Sequence, residues 1–363
     1  MIFPDFKNDA KPFSGLKVLD ISNILAGPLA ASFFAELGAT VVKVENKLTA
    51  GDATRTWKLP GEDPASPYSA YYFSANYGKE VVLLDLTNPA DRQKAEEMIA
   101  DSDVVISNFQ KKVAQKLGLL PEETALKYPS LIFAQLSAYE FDDPRPGYDL
   151  VMQGETGWIS MTGTDDSHLA KIPVAVIDIF ASHQIKEAVL IALIKRAVTG
   201  KGSTIHVSLY KSGISGLANQ ASNYLMQGVV AKPIGTLHPN IAPYGDIFTS
   251  ADGTDFLLAV GSDDQFKKLW KTLMPGVAIN PNFESNSGRV KNRKELCKAL
   301  QQSFGSNPFV KIETLLGTIN VPYCSILKMN DVFQDKLAKE MVLTQTKHDE
   351  TGQSVSSIAF TIK

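Results

Sequence analysis

The sequence predicts an α/β fold with a large, Rossmann-like domain built on a parallel sheet, followed by a smaller α+β domain. Three observations predict it. Short aliphatic runs alternate with helix-period segments from Leu16 to Leu136, prolines and glycines stand at the segment boundaries, and 44% hydrophobic residues over 363 positions suffice for a large core and two domains. The expected division is 1–225 for the large domain, 226–330 for the linker and small domain, and 331–363 for a C-terminal segment.

The first strand is Leu16–Ile21, which runs into the turn Asn23–Pro28. Pro28 suits a helix start, and Leu29–Leu37 reads as a helix closed by Gly38. Thr40–Val44 is a second strand ending at Glu45, which completes a βαβ unit. The unit lacks a G-x-G-x-x-G turn, so a nicotinamide dinucleotide is not expected. Strands follow at Val81–Leu86, Val104–Ile106 and Leu131–Leu136, with helices at Pro89–Ala100 and at Val113–Leu117, the latter stopped by Gly118. Ligands of such sheets bind beyond the carboxyl ends of the strands, which groups the turn at Leu25 and Ala26, the strand end Leu84-Asp85 and the pair Asn108-Phe109. A plain alternative stands beside this, with Asn108 serving a turn and Phe109 the core.

Beyond Ser215 the chain becomes polar and rich in small residues, and Gly235–Tyr244 carries the prolines of a new unit. Phe248–Val260 reads as a hairpin turning at Asp252-Gly253. Gly261 and the helix Phe266–Leu273 follow, a strand–glycine–helix junction rich in backbone N–H donors. Helices are expected at Lys291–Phe304 and Val310–Gly317, and closing strands at Met341–Thr346 and Ser354–Ile362 on either side of Gly352.

Composition narrows the function. A net charge of -3 gives no sign of nucleic acid or a polyanionic surface as partner. Two cysteines without ligand spacing fit a reducing compartment. Met1–Lys7 has no signal-peptide character, and the most apolar stretch, Ala188–Ile194, is too short to span a bilayer, so a soluble, cytoplasmic protein is expected. The five histidines, His348 among them, form no H-x-x-x-H pair and no G-x-S-x-G motif occurs, so neither metal nor serine-hydrolase chemistry is expected.

One carboxylate calls for explanation. Asp178 stands alone in the aliphatic run Ile172–Phe180, ahead of residues Ile185, Ala188, Val189, Ala192 and Leu193 at helical spacing. The pattern places Asp178 where a strand-like run becomes a helix, capping free N–H groups and held charged at neutral pH by the positive helix end. On position alone, the bland role of an N-cap is the default.

The ordered stretches Val18-Leu-Asp20, Leu25–Pro28, Val42–Glu45, Gly51–Arg55, Asp103–Phe109, Pro146–Asp149, Thr162-Gly163, Asp178, Thr199–Gly202, His238–Tyr244 and Val260–Phe266 resemble the family III CoA-transferases, relatives of α-methylacyl-CoA racemase. The resemblance covers most of the chain. It implies catalysis by Asp178 opposite the Gly261 loop, through an aspartyl-acyl anhydride and an aspartyl-CoA thioester, with acyl-CoA as substrate and neither metal nor nicotinamide. It also implies CoA contacts from Leu25, Ala26, Leu84, Asp85, Asn108, Phe109, Lys116, Arg145 and Tyr148, and an interlocked-ring homodimer. The chain departs from the family pattern at Asn46, Glu140, Ser182 and Lys211, and against that pattern a shortened closing segment is expected. A racemase is the alternative, disfavoured because Tyr148 stands where the racemase has its histidine base. A non-catalytic acyl-CoA-binding homologue is the second alternative.

Overall fold

In the computed structural model the described residues are 11–347 and 349–362, so Met1–Lys7 and His348 lie outside them. Two compact units form, one comprising the chain up to Lys232 together with Glu340 onward, the other Pro233–Lys339.

The first unit is built on six parallel strands: β1 (Lys17–Ile21), β2 (Thr40–Asn46), β3 (Glu80–Leu84), β4 (Val104–Ser107), β5 (Ile132–Ser137) and β6 (Ser203–Ser208). Their order is β3-β2-β1-β4-β5-β6, so chain direction across the sheet reverses between β1 and β4. That reversal opens a crevice at the carboxyl ends of these two strands. The period-two side-chain alternation of a strand explains how both faces are buried. Val104 and Ile106 join the core under the helices α1 (Ala26–Glu36) and α7 (Val176–Thr199), while Val105 joins Leu19, Leu84 and Phe133 on the opposite face. Helices α2 (Ala70–Ala75), α3 (Pro89–Ala100), α4 (Lys111–Leu117), α5 (Pro121–Lys127), α6 (Asp149–Glu155), α8 (Leu209–Ser215) and α9 (Ala218–Gln227) complete this part of the chain.

Three local expectations are corrected. Ile172–Ala175 forms no strand: Pro173 and Val174 are exposed, and Ile177, which enters the core, belongs to the first turn of α7. The expected helix Lys291–Phe304 is instead α11 (Asn286–Lys291) and α12 (Arg293–Phe304), parted at Asn292. Gly352 lies inside a strand rather than between two: β10 (Val342–Lys347) pairs antiparallel with β11 (Glu350–Val355), and a side chain at Gly352 would overlap the Phe73 ring of α2. Glycine is there to admit an aromatic ring, not to make the turn.

The second unit packs α10 (Asp263–Leu273), α11, α12 and α13 (Phe309–Thr318) with an antiparallel sheet of β7 (Tyr244–Thr249), β8 (Asp255–Ala259) and β9 (Tyr323–Ser325). Phe248, Phe256, Phe266, Leu296 and Phe304 form its core. Arg289, fully buried, ties the unit together by donating to Ala242 O, Phe283 O and Asp263 Oδ1.

Candidate active site

Asp178 is the third residue of α7 and 7% exposed. It does not cap the helix. That role belongs to Asp149, the first residue of α6, whose Oδ1 accepts from the backbone N–H of Ile177 at 2.8 Å and of Asp178 at 3.4 Å. The other Asp149 oxygen accepts from Gln153 Nε2 at 2.7 Å, which fixes the rotamer. The expected capping role of Asp178 is therefore corrected, and the helix end does not hold its carboxyl in the ordinary carboxylate range. Burial, and secondly the negative charge of Asp149, push the Asp178 carboxyl up to about 7. No hydrogen bond to its side chain offsets them among the described residues, and a carboxyl without such donors loses the usual stabilisation of its charged form.

Sequence reading missed an aromatic neighbour. The Tyr71 phenol of α2 is pushed up to about 12, first by burial and then by the charges of Asp178, Asp149 and Asp52. It is therefore a neutral O–H donor in the field of Asp178, and its ring meets Trp57 edge-on at 5.1 Å. Gly-Tyr-Asp149 was the available signal for the second carboxylate. Nothing in the sequence marks Tyr71 apart from Tyr72, which turns inward to donate to Glu45 at 2.8 Å.

Four of the nine expected CoA-contact residues line one cavity of about 260 Å³: Leu84, Asp85, Phe109 and Lys116. Asn46 shares it, and its side chain accepts from Leu48 N at 2.9 Å, capping the short turn Lys47–Thr49. Leu25 and Ala26 stand at the start of α1, which no side chain caps. Asn108 brackets Asn23, accepting from its N–H at 3.0 Å and donating to its carbonyl at 2.9 Å. Its role in the observed hydrogen bonds is to fix the β1–α1 turn.

Arg145 and Tyr148 do not line that cavity. Arg145 pairs with Asp143 at 2.7 Å, lies over the Tyr139 ring at 3.7 Å and lines a separate, charged cavity of about 590 Å³. Glu140 and Lys211, two of the departures, pair with one another there at 2.5 Å. Tyr148 precedes α6 and is 62% exposed. Ser182, a third departure, is fully buried one turn beyond Asp178, and its hydroxyl has no partner among the described residues. Gly261 belongs to the second unit, between β8 and α10, where its N–H donates to Gln265 Oε1 at 2.9 Å and Ser262 caps α10.

A parallel sheet with a crevice at its strand-order reversal, a cavity beside that crevice and a buried carboxyl at a helix start have the form of an α/β enzyme site. The chain belongs to CoA-transferase family III, whose sequence model matches residues 13–363. It is 32% identical over 361 residues to a succinate–glutarate CoA-transferase of Agrobacterium fabrum, covering 98% of this chain and 90% of the relative. A human succinyl-CoA:glutarate CoA-transferase is 32% identical over 95% of this chain and 79% of its own. The crystal structure of a CAIB/BAIF family protein from Brucella suis superposes with a TM-score of 0.80 at 36% identity, covering 97% of this chain and 93% of that one. The protein is thus a CoA-transferase, moving CoA between acyl-CoA and carboxylic acids.

Proposed function

We propose that Asp178 is the nucleophile of this transfer. Its carboxylate attacks the thioester carbonyl of a donor acyl-CoA and expels the CoA thiolate, leaving an aspartyl-acyl anhydride. The thiolate then attacks the aspartyl carbonyl of the anhydride, forming an aspartyl-CoA thioester and releasing the donor acid. An acceptor carboxylate repeats the sequence in reverse, leaving as the new acyl-CoA and restoring Asp178. The observation that carries this reading is the buried Asp178 carboxyl, without a hydrogen-bonded partner and raised to about 7 by burial and by Asp149. Such a carboxylate is more basic and less hydrated than an exposed one, which favours attack on a carbonyl carbon.

The cavity of Leu84, Asp85, Phe109 and Lys116 is proposed to hold the CoA end of the thioester, with Lys116 facing phosphate as a point charge. The turn at Leu25 and Ala26 is proposed to meet the same molecule, α1 offering an uncapped helix start. Arg145 and Tyr148 are proposed as contacts outside that cavity. Tyr71 is proposed to donate to the acyl oxygen or acid that Asp178 meets. Gly261 is proposed to serve Asp178 from the second unit, in an interlocked homodimer. The names of the curated relatives support short dicarboxylic acids as the first substrates to try, succinate and glutarate foremost.

Incubation with a panel of acyl-CoAs and carboxylic acids, with CoA exchange followed chromatographically, tests the reading. Exchange is expected with native protein and lost in Asp178→Ala with the fold retained. Exchange undiminished in that variant refutes the mechanism, and α-proton exchange without CoA exchange favours the racemase.

A further inference from the structure

We infer that the buried Lys43–Asp52 pair is a positioning device that holds the β1–α1 turn in the backbone conformation that receives the CoA thioester. The inference rests on the proposed contact between that turn and CoA.

Ile24, in the middle of the turn, has φ 75°, the left-handed region that a β-branched residue avoids. Such a conformation persists only where the surroundings over-determine it. Here they do. The Ile24 N–H donates to Asp52 Oδ2 at 3.2 Å, and the same oxygen pairs with Lys43 Nζ at 3.2 Å. Lys43 Nζ also donates to Ser22 O at 2.7 Å, and Asn108 grips Asn23 from the other side. Every residue from Ser22 to Ile24 is therefore held by a side chain from another segment.

The charges reach this place through strand register. Asp20 and Lys43 are Cα partners in the parallel β1–β2 pair and point to the same face, toward α1, where both are fully buried. Lys79 approaches Asp20 at 2.8 Å and donates to the Pro28 and Ala75 carbonyls, so two lysines offset two aspartates. Burial alone would raise Asp20, yet Lys43 and Lys79 hold its carboxyl below the ordinary range. Apolar residues of similar volume commonly serve stability as well as a buried ion cluster does. The particular service of Lys43 and Asp52 is directional, since only a fixed acceptor can hold the Ile24 N–H. Asp52 also adds to the field at Tyr71, which links the clamp to the neighbourhood of Asp178.

The test compares Asp52→Asn with the charge-balanced double variant Lys43→Met/Asp52→Asn, each by steady-state kinetics, thermal unfolding and calorimetric titration with CoA. Asp52→Asn is expected to raise KM for acyl-CoA about tenfold, the exchange of a charge-assisted hydrogen bond from the Ile24 N–H for a neutral one, with KM for the acceptor acid and kcat within about twofold. The double variant removes the unpaired lysine and is expected to regain thermal stability while KM for acyl-CoA stays high. A merely structural pair would restore both together, and that result overturns the inference. Should Asp52→Asn not fold, the double variant decides: raised KM for acyl-CoA at undiminished thermal stability supports the clamp, and unchanged KM overturns it. Native protein that neither exchanges nor binds CoA removes the proposed function and the clamp together, whereas active native enzyme with unaltered KM in all variants removes the clamp alone.

Discussion

At Asp178 two effects act in one direction: the carboxyl is withdrawn from water, and Asp149 places a like charge near it. Both favour the protonated form, so at neutral pH the proposed nucleophile is divided between acid and carboxylate. Exchange should rise with pH through about 7 as Asp178 ionises. Asp149→Asn removes the second effect and keeps an acceptor for the Ile177 N–H, so the rising limb should move to lower pH; a pH–rate profile of both proteins checks the direction. Stability carries the opposite sign. An unfolded Asp178 ionises near the ordinary aspartate value of 3.8, whereas the folded one holds its proton to about 7, so the residue costs stability progressively between these values and fully above them. Asp178→Asn should therefore abolish exchange and raise the unfolding free energy above pH 7 by about 4 kcal/mol, with little effect below pH 4. Denaturant titrations at pH 4 and pH 8 measure the difference.

At the level of elements, a residue that reads as a turn former proved to be a packing device. Gly352→Val would drive a side chain into the Phe73 ring between β11 and α2, and should destabilise the first unit by about 1–3 kcal/mol, read by chemical unfolding. What the sequence made legible depended on how local the cause was. The five strands of β1 to β5 were readable because each is a short aliphatic run between turn residues. β6, Ser203–Ser208, escaped because its Ser-Thr-Ile-His-Val-Ser composition is mostly polar, and it forms by pairing with β5 on one side only. Asp178 was legible as an odd carboxylate, but its surroundings were not. Asp149 caps α7 from another helix, and Tyr71 reaches the site from α2, separated from it by more than a hundred positions in sequence. The same is true of Lys43, whose place in an aliphatic strand hinted at an internal partner without naming Asp20 or Asp52.

For the whole molecule, the parallel sheet supplies the logic. Its reversal between β1 and β4 brings the β1–α1 turn and Asn108 to one crevice, while α7, packed across the same sheet, carries Asp178. Among the described residues no helix is long and apolar enough to cross a membrane. The proposed homodimer predicts that the protein sediments as a dimer at micromolar concentration, and a monomer under those conditions contradicts it.

The most direct measurement is covalent trapping. Native protein is mixed with a donor acyl-CoA, quenched in acid, digested and analysed by mass spectrometry. The mechanism predicts a CoA adduct on the peptide carrying Asp178 that disappears when an acceptor acid is added. Continued CoA exchange in the Asp178→Ala variant, or an adduct that maps to another residue, would contradict it.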